Sequence, residues 1–130
     1  MLPLSHPRLW IAGACLIAVV IVVGSLLPGP VVSMIGVNDK VEHVGAYFVL
    51  TIWLAGIVEP RHYLKAAVLA VLLGGGMEIA QALLTTTRDP DWLDFAADSI
   101  GAAVAAAVAL LGVGGWAGRL ERWLGTVPRD

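Results

Sequence analysis

Between Gly74 and Gly101 the chain reads GGGMEIAQALLTTTRDPDWLDFAADSIG, which sets Glu78, Gln81, Arg88, Asp91, Asp94 and Asp98 between two apolar runs. A second polar set, Asp39, Lys40, Glu42, His43 and Tyr47, opens another apolar run. Asp39, His43 and Tyr47 stand at i, i+4 and i+8, so a helix would stack them on one face. An ionisable group at the centre of a membrane-spanning helix costs roughly 2.5–3.5 kcal/mol, so such groups need partners or water and mark functional sites by default. Glu78 or Asp94 offers the carboxylate of a general base, and His43 or Lys40 the proton of a general acid. Lys40 and Arg88 suit phosphate or carboxylate, while the acidic side chains suit amines or hydroxyls. Asp94 and Asp98 repel when both are ionised, so Asp98 is expected to be protonated, paired with Arg88 or Lys40, or holding a cation. Arg88 is the best countercharge, because a guanidinium can bridge two carboxylates in a planar fork. His43, Glu78, Asp94 and Asp98 are plausible oxygen and nitrogen ligands, but no HExxH-type spacing supports a metal, and no metal or cofactor is expected.

Plainer roles stand beside these. Glu78 and Gln81, three residues apart, could simply bond to neighbouring helices and fix their packing. Asp39 and Lys40 could be an exposed capping pair at a helix start. Tyr47 and the tryptophans read more readily as packing and interfacial-belt residues than as ligand platforms.

The elements that position these residues follow from composition. A chain of 130 residues that is 58% hydrophobic and 14% charged, with mean hydropathy +0.85, belongs with membrane proteins. A net charge of −2 and no basic cluster argue against a nucleic-acid partner. The single Cys15 rules out an intrachain disulfide. Four apolar stretches are read as transmembrane helices, about residues 9–27, 41–58, 63–84 and 93–113, giving an all-α polytopic bundle in one domain, 1–130. The first is too long for the apolar core of a cleaved signal peptide and is read as retained. Pro28-Gly29-Pro30 ends it, Glu59-Pro60 ends the second, and Asp89-Pro90-Asp91 is read as a turn before the fourth. The run Gly74-Gly75-Gly76 is expected to admit a neighbouring backbone, and residues 114–130 form an interfacial tail carrying Trp116, Arg119, Arg122 and Trp123.

With four spans, Arg8, Arg61, Lys65, Arg119, Arg122 and Arg129 share one side and Lys40 and Arg88 the other. The positive-inside rule then puts both termini in the cytoplasm and the polar residues at the outer face. Asp39, Lys40, His43, Glu78, Gln81, Arg88, Asp91, Asp94 and Asp98 all fall toward that face, which points to a single polar site.

The fragments SLLPG at Ser25–Gly29, DKVEHVGAYFVLT at Asp39–Thr51 and EIAQ at Glu78–Gln81, with Arg88, Asp94 and Gly101 at their present spacing, resemble the VanZ-like family of small bacterial membrane proteins. The resemblance covers about Ser25 to Gly101. It implies a multi-pass protein of the bacterial cytoplasmic membrane, linked to low-level teicoplanin resistance, with functional positions at Asp39, Lys40, His43, Tyr47, Glu78, Gln81, Arg88, Asp94 and Gly101. The family pattern usually has asparagine where this chain has Asp98. Three function classes are open: a module binding a lipid-linked or cell-wall precursor or the antibiotic itself, a small membrane enzyme on a lipid or envelope substrate, and a structural or partner-binding bundle. The bilayer is the expected partner in each, with a homo-oligomer as a further possibility.

Overall fold

The computed structural model describes residues 1–27, 38–86 and 91–126. Among them the secondary structure is entirely helical. Helix α1 runs Pro7–Leu26, α2 Asp39–Ile57, α3 Tyr63–Leu84 and α4 Trp92–Val108. A wider turn, Ala109–Val113, and a short α5, Trp116–Trp123, complete the order. Local chemistry sets the starts. Pro7 occupies the first turn of α1, where its missing N–H costs nothing. Asn38 caps α2 by accepting from Lys40 N at 3.0 Å, and Asp91 caps α4 by accepting from Leu93 N at 2.9 Å.

Among the described residues three helical stretches are long and apolar enough to cross a membrane: Pro7–Leu26, Pro60–Leu84 and Trp92–Val113. Helix α2 is not one of them, because Asp39, Lys40, Glu42 and His43 crowd its first turns. The expected fourth helix was continuous to residue 113; instead the regular α-helix stops at Val108, and the chain breaks at Gly112, whose φ of 109° is open to glycine and strained for other residues.

The core is built of small side chains. Ala55, Ala70, Ala102 and Ala105 are fully buried, which lets the helices lie close, and the most extensive contact is between α2 and α4. The expectation for Gly74–Gly76 changes in kind. Gly74 makes room for the Asp98 carboxylate, Gly75 faces the Phe95 ring, and Gly76 faces open space. The close backbone approach occurs at Gly101, against Val44 of α2.

At the end away from the polar residues, Trp10, Trp53 and Trp116 pack together with ring centroids 5.3–5.7 Å apart. The Trp53 indole N–H donates to the Trp10 carbonyl and that of Trp116 to the Ile52 carbonyl, both at 3.0 Å. Trp116 is therefore part of the bundle, whereas Trp123 is exposed as an interfacial residue would be. Helix α5 is held by Glu121, buried to 3% exposure, which accepts from Ser5 N at 2.7 Å, His6 N at 3.2 Å and Trp10 Nε1 at 2.8 Å. These bonds satisfy orphan donors at the start of α1 and join the two ends of the chain. Burial works against the Glu121 charge, but the hydrogen bonds from Ser5, Trp10 and His6 outweigh it and hold the carboxyl below its ordinary range. A depressed pKa means that the latch stabilises at neutral pH and is lost as acid protonates Glu121 below its ordinary value of 4.5. Glu121→Gln should cost about 2 kcal/mol at pH 7, since its amide would turn a donor toward three donors. Thermal unfolding in detergent should show the gap to wild type closing as the pH falls; a gap constant with pH would exclude the ionised latch.

Candidate functional site

The site lies where α2 begins, α3 ends and α4 begins. Residues of α2 and α4 meet there because the two helices approach closely at Gly101, two turns below Asp94. Lys40 Nζ is bonded to Asp94 Oδ1, lies 2.7 Å from Asp91 Oδ2 and stands 3.5 Å from Asp39 Oδ2. One ammonium thus gathers three carboxylates from both helix starts. Burial disfavours the charge on Lys40, but the hydrogen bonds from it to Asp91 and Asp94 outweigh that and raise its pKa above the ordinary lysine value. The same bond to Lys40, with that from Leu93 N, holds Asp91 below the usual aspartate range. The Lys40–Asp91 pair therefore stays ionised across the physiological range.

One turn deeper, His43 Nδ1 is 2.8 Å from Asp98 Oδ1, and Asp98 is buried to 1% exposure. With Asp98 ionised, its carboxylate accepts from Nδ1–H, and the other ring nitrogen, Nε2, stands 3.7 Å from Asp94 Oδ2. Asp98 was expected to be protonated, paired with Arg88 or Lys40, or holding a cation; its hydrogen-bond partner is His43. The pairing follows from register: His43 is one turn into α2 and Asp98 two turns into α4, and the contact at Gly101 brings those levels together. Asp94 lies inside the first turn of α4, and Asp91 holds the cap position.

Glu78 reaches the cluster from α3, its Oε2 accepting from the Asp91 backbone N at 2.8 Å. This bond fixes the chain entering α4. Gln81 is buried, but its Nε2 donates to the Ser25 carbonyl at 2.9 Å, and that contact ties α3 to the end of α1. Its geometry is that of a packing residue. Tyr47 is also buried, one turn below His43, within electrostatic reach of Asp98 and Glu78, yet its hydroxyl has no hydrogen-bond partner. A buried hydroxyl left unpaired costs about 1–3 kcal/mol. Glu42 Oε1 is likewise buried and unpartnered. Arg88 lies outside the described residues.

The arrangement thus has two layers. The upper layer is Lys40 with the half-exposed Asp39 and Asp91 and the buried Asp94; the lower layer is the partly buried His43 with the buried Asp98 and Tyr47, and Glu78 alongside. Asp39, His43 and Asp94 can each direct one ligand atom to a common point, those atoms lying within 4.8 Å of one another. Asp91 was a residue of the acidic loop at the level of sequence, but its place as both N-cap and Lys40 partner had no signal beyond its position three residues before Asp94. Comparison with protein-family models, with curated proteins and with solved structures finds no match.

Proposed function

We propose that this chain is a VanZ-like membrane protein whose polar cluster binds or acts on cell-envelope material, a lipid-linked or cell-wall precursor or a glycopeptide antibiotic. In this reading all four long helices cross the bacterial cytoplasmic membrane, both termini are cytoplasmic and the cluster opens to the outer leaflet. The observation that carries it is the convergence of Lys40, His43, Glu78, Asp91, Asp94 and Asp98 from three helices at one end of an otherwise apolar bundle. A purely structural bundle does not need so many ionisable groups, each costly in or near the bilayer. The half-exposed upper layer can receive the hydroxyls or amines of a headgroup while the apolar helices flank its chain.

The dyad of His43 and Asp98 favours the enzymatic form of this reading as the second possibility. A buried carboxylate that fixes the imidazole tautomer leaves Nε2 able to take a proton from a substrate hydroxyl or water, the geometry of an oriented general base. The experiment is native mass spectrometry of protein extracted from bacterial membranes in mild detergent, with Lys40→Ala and, as a control remote from the cluster, Lys65→Ala. Wild type and Lys65→Ala should carry a lipid- or precursor-sized adduct whose occupancy falls about tenfold in Lys40→Ala. A wild type that carries none, or equal occupancy in all three proteins, overturns the binding role.

A further inference from the structure

We infer that Asp39, His43 and Asp94 form a binding site for a divalent cation of the zinc or manganese type, with Asp98 and Tyr47 as its supporting groups. The proposal concerns the same cluster but does not depend on an envelope substrate.

Three features converge on it. The donor set is one imidazole nitrogen and two carboxylate oxygens contributed by two helices, the composition of open transition-metal sites that keep a coordination position for water or substrate. Two donors that each sit about 2.1 Å from one ion are at most about 4.2 Å apart, so a set now within 4.8 Å needs a closure of roughly half an ångström or somewhat more. Asp39 stands at the first position of α2 with its side chain half-exposed, so a closure made there displaces no core group.

The second feature lies behind the ligands. Metal-bound histidines almost always donate their other ring N–H to a carboxylate or carbonyl, which fixes the tautomer and raises ligand basicity. His43 does this: Nδ1 is held at 2.8 Å by the buried Asp98, and Nε2 is left toward Asp94. The third feature is Tyr47, a residue of 1% exposure on the same face of α2, near enough to Asp98 and Glu78 to feel their charge, whose hydroxyl has no hydrogen-bond partner. A water on the ion would give that donor its acceptor.

Lys40 is the competing cation. Its ammonium is bonded to Asp94 and close to Asp39, two of the three ligands, while Asp91 gives it a third carboxylate that the metal set does not use. Metal entry then moves Lys40 onto Asp91 alone. This makes the effect of removing Lys40 opposite in sign for metal and for lipid. Lys40→Ala should bind metal about tenfold more tightly, although it is expected to lose the envelope adduct.

The test uses full-length protein in detergent, stripped with EDTA and titrated with Mn²⁺ and Zn²⁺, read by Mn²⁺ electron paramagnetic resonance and by calorimetry. Wild type should bind one ion at micromolar or better concentration. Asp39→Asn, at an exposed position that the fold tolerates, should weaken binding about tenfold, Asp94→Asn about a hundredfold, and the positioning variant Asp98→Asn between ten- and a hundredfold. No binding below millimolar concentration for either ion, or equal affinity in wild type, Asp39→Asn and Asp94→Asn, overturns the site. An envelope adduct that persists through EDTA in a protein that binds no metal would reject this inference and leave the binding reading standing.

Discussion

His43→Ala is expected to destabilise the protein by about 3–5 kcal/mol, although it removes a side chain of moderate size from the edge of the core. The cost comes from what it leaves behind. Asp98 is buried to 1% exposure, and its hydrogen bond is to His43 Nδ1. Truncating the imidazole strands a carboxylate between Gly74 of α3 and the start of α2, beneath a second carboxylate, Asp94. Asp98→Asn should be much milder, near 1 kcal/mol, because the amide oxygen still accepts from Nδ1–H and the volume is unchanged. The two changes are therefore coupled. Adding Asp98→Asn to His43→Ala should recover at least half of the loss, since the buried group is then neutral. Unfolding of the four proteins in detergent, followed by tryptophan fluorescence, gives the cycle. Additive losses, or a His43→Ala protein within 1 kcal/mol of wild type, would mean that Asp98 is not held as a buried charge by His43.

The distribution of what could be foreseen follows from how far each interaction reaches along the chain. Tyr63–Leu84 has the limits expected of it because an apolar run bounded by polar and proline residues is local information. The shared face of Asp39, His43 and Tyr47 is local too, being a matter of helical spacing. Pairing across helices is not. Whether Asp98 meets Lys40, Arg88 or His43 depends on the register of α4 against α2, and spacing within one helix says nothing of that register. Glu121 was not singled out by sequence, because its three donors are in the first ten residues and no pattern near position 121 signals them. Gln81 shares a face with Glu78, as three-residue spacing requires, yet the two part because Ser25 ends its helix beside Gln81 while Asp91 begins the next beside Glu78. The stretch 41–58 was expected to span, but the polar first turns that make α2 the site-bearing helix leave it outside the three helices, among the described residues, that are long and apolar enough to cross a membrane.

Gly101→Ala tests the register itself. A β-carbon at position 101 would fall on the carbonyl oxygen of Val44 and within 3.1 Å of the Phe48 amide nitrogen. Both are backbone atoms of a hydrogen-bonded helix, so no rotamer change relieves the contact and α4 must move away from α2. Overpacking of this kind costs about 1–3 kcal/mol, and the upper end is expected here because the neighbour is rigid. Gly76→Ala is the matched control. Its added methyl meets nothing within 4 Å, and alanine is the better helix former by about 0.5–1 kcal/mol, so that variant should be as stable as wild type or slightly more so. The displacement has a second consequence, because Asp94 and Asp98 ride on α4 while Lys40 and His43 ride on α2. A shift large enough to admit one methyl lengthens the Lys40–Asp94 and His43–Asp98 contacts together. Gly101→Ala should therefore lose envelope adduct and metal alike, even at temperatures where its helices remain intact by circular dichroism. If the variant unfolds at the wild-type temperature and retains both, the close approach of α4 to α2 at Gly101 is not what aligns the site.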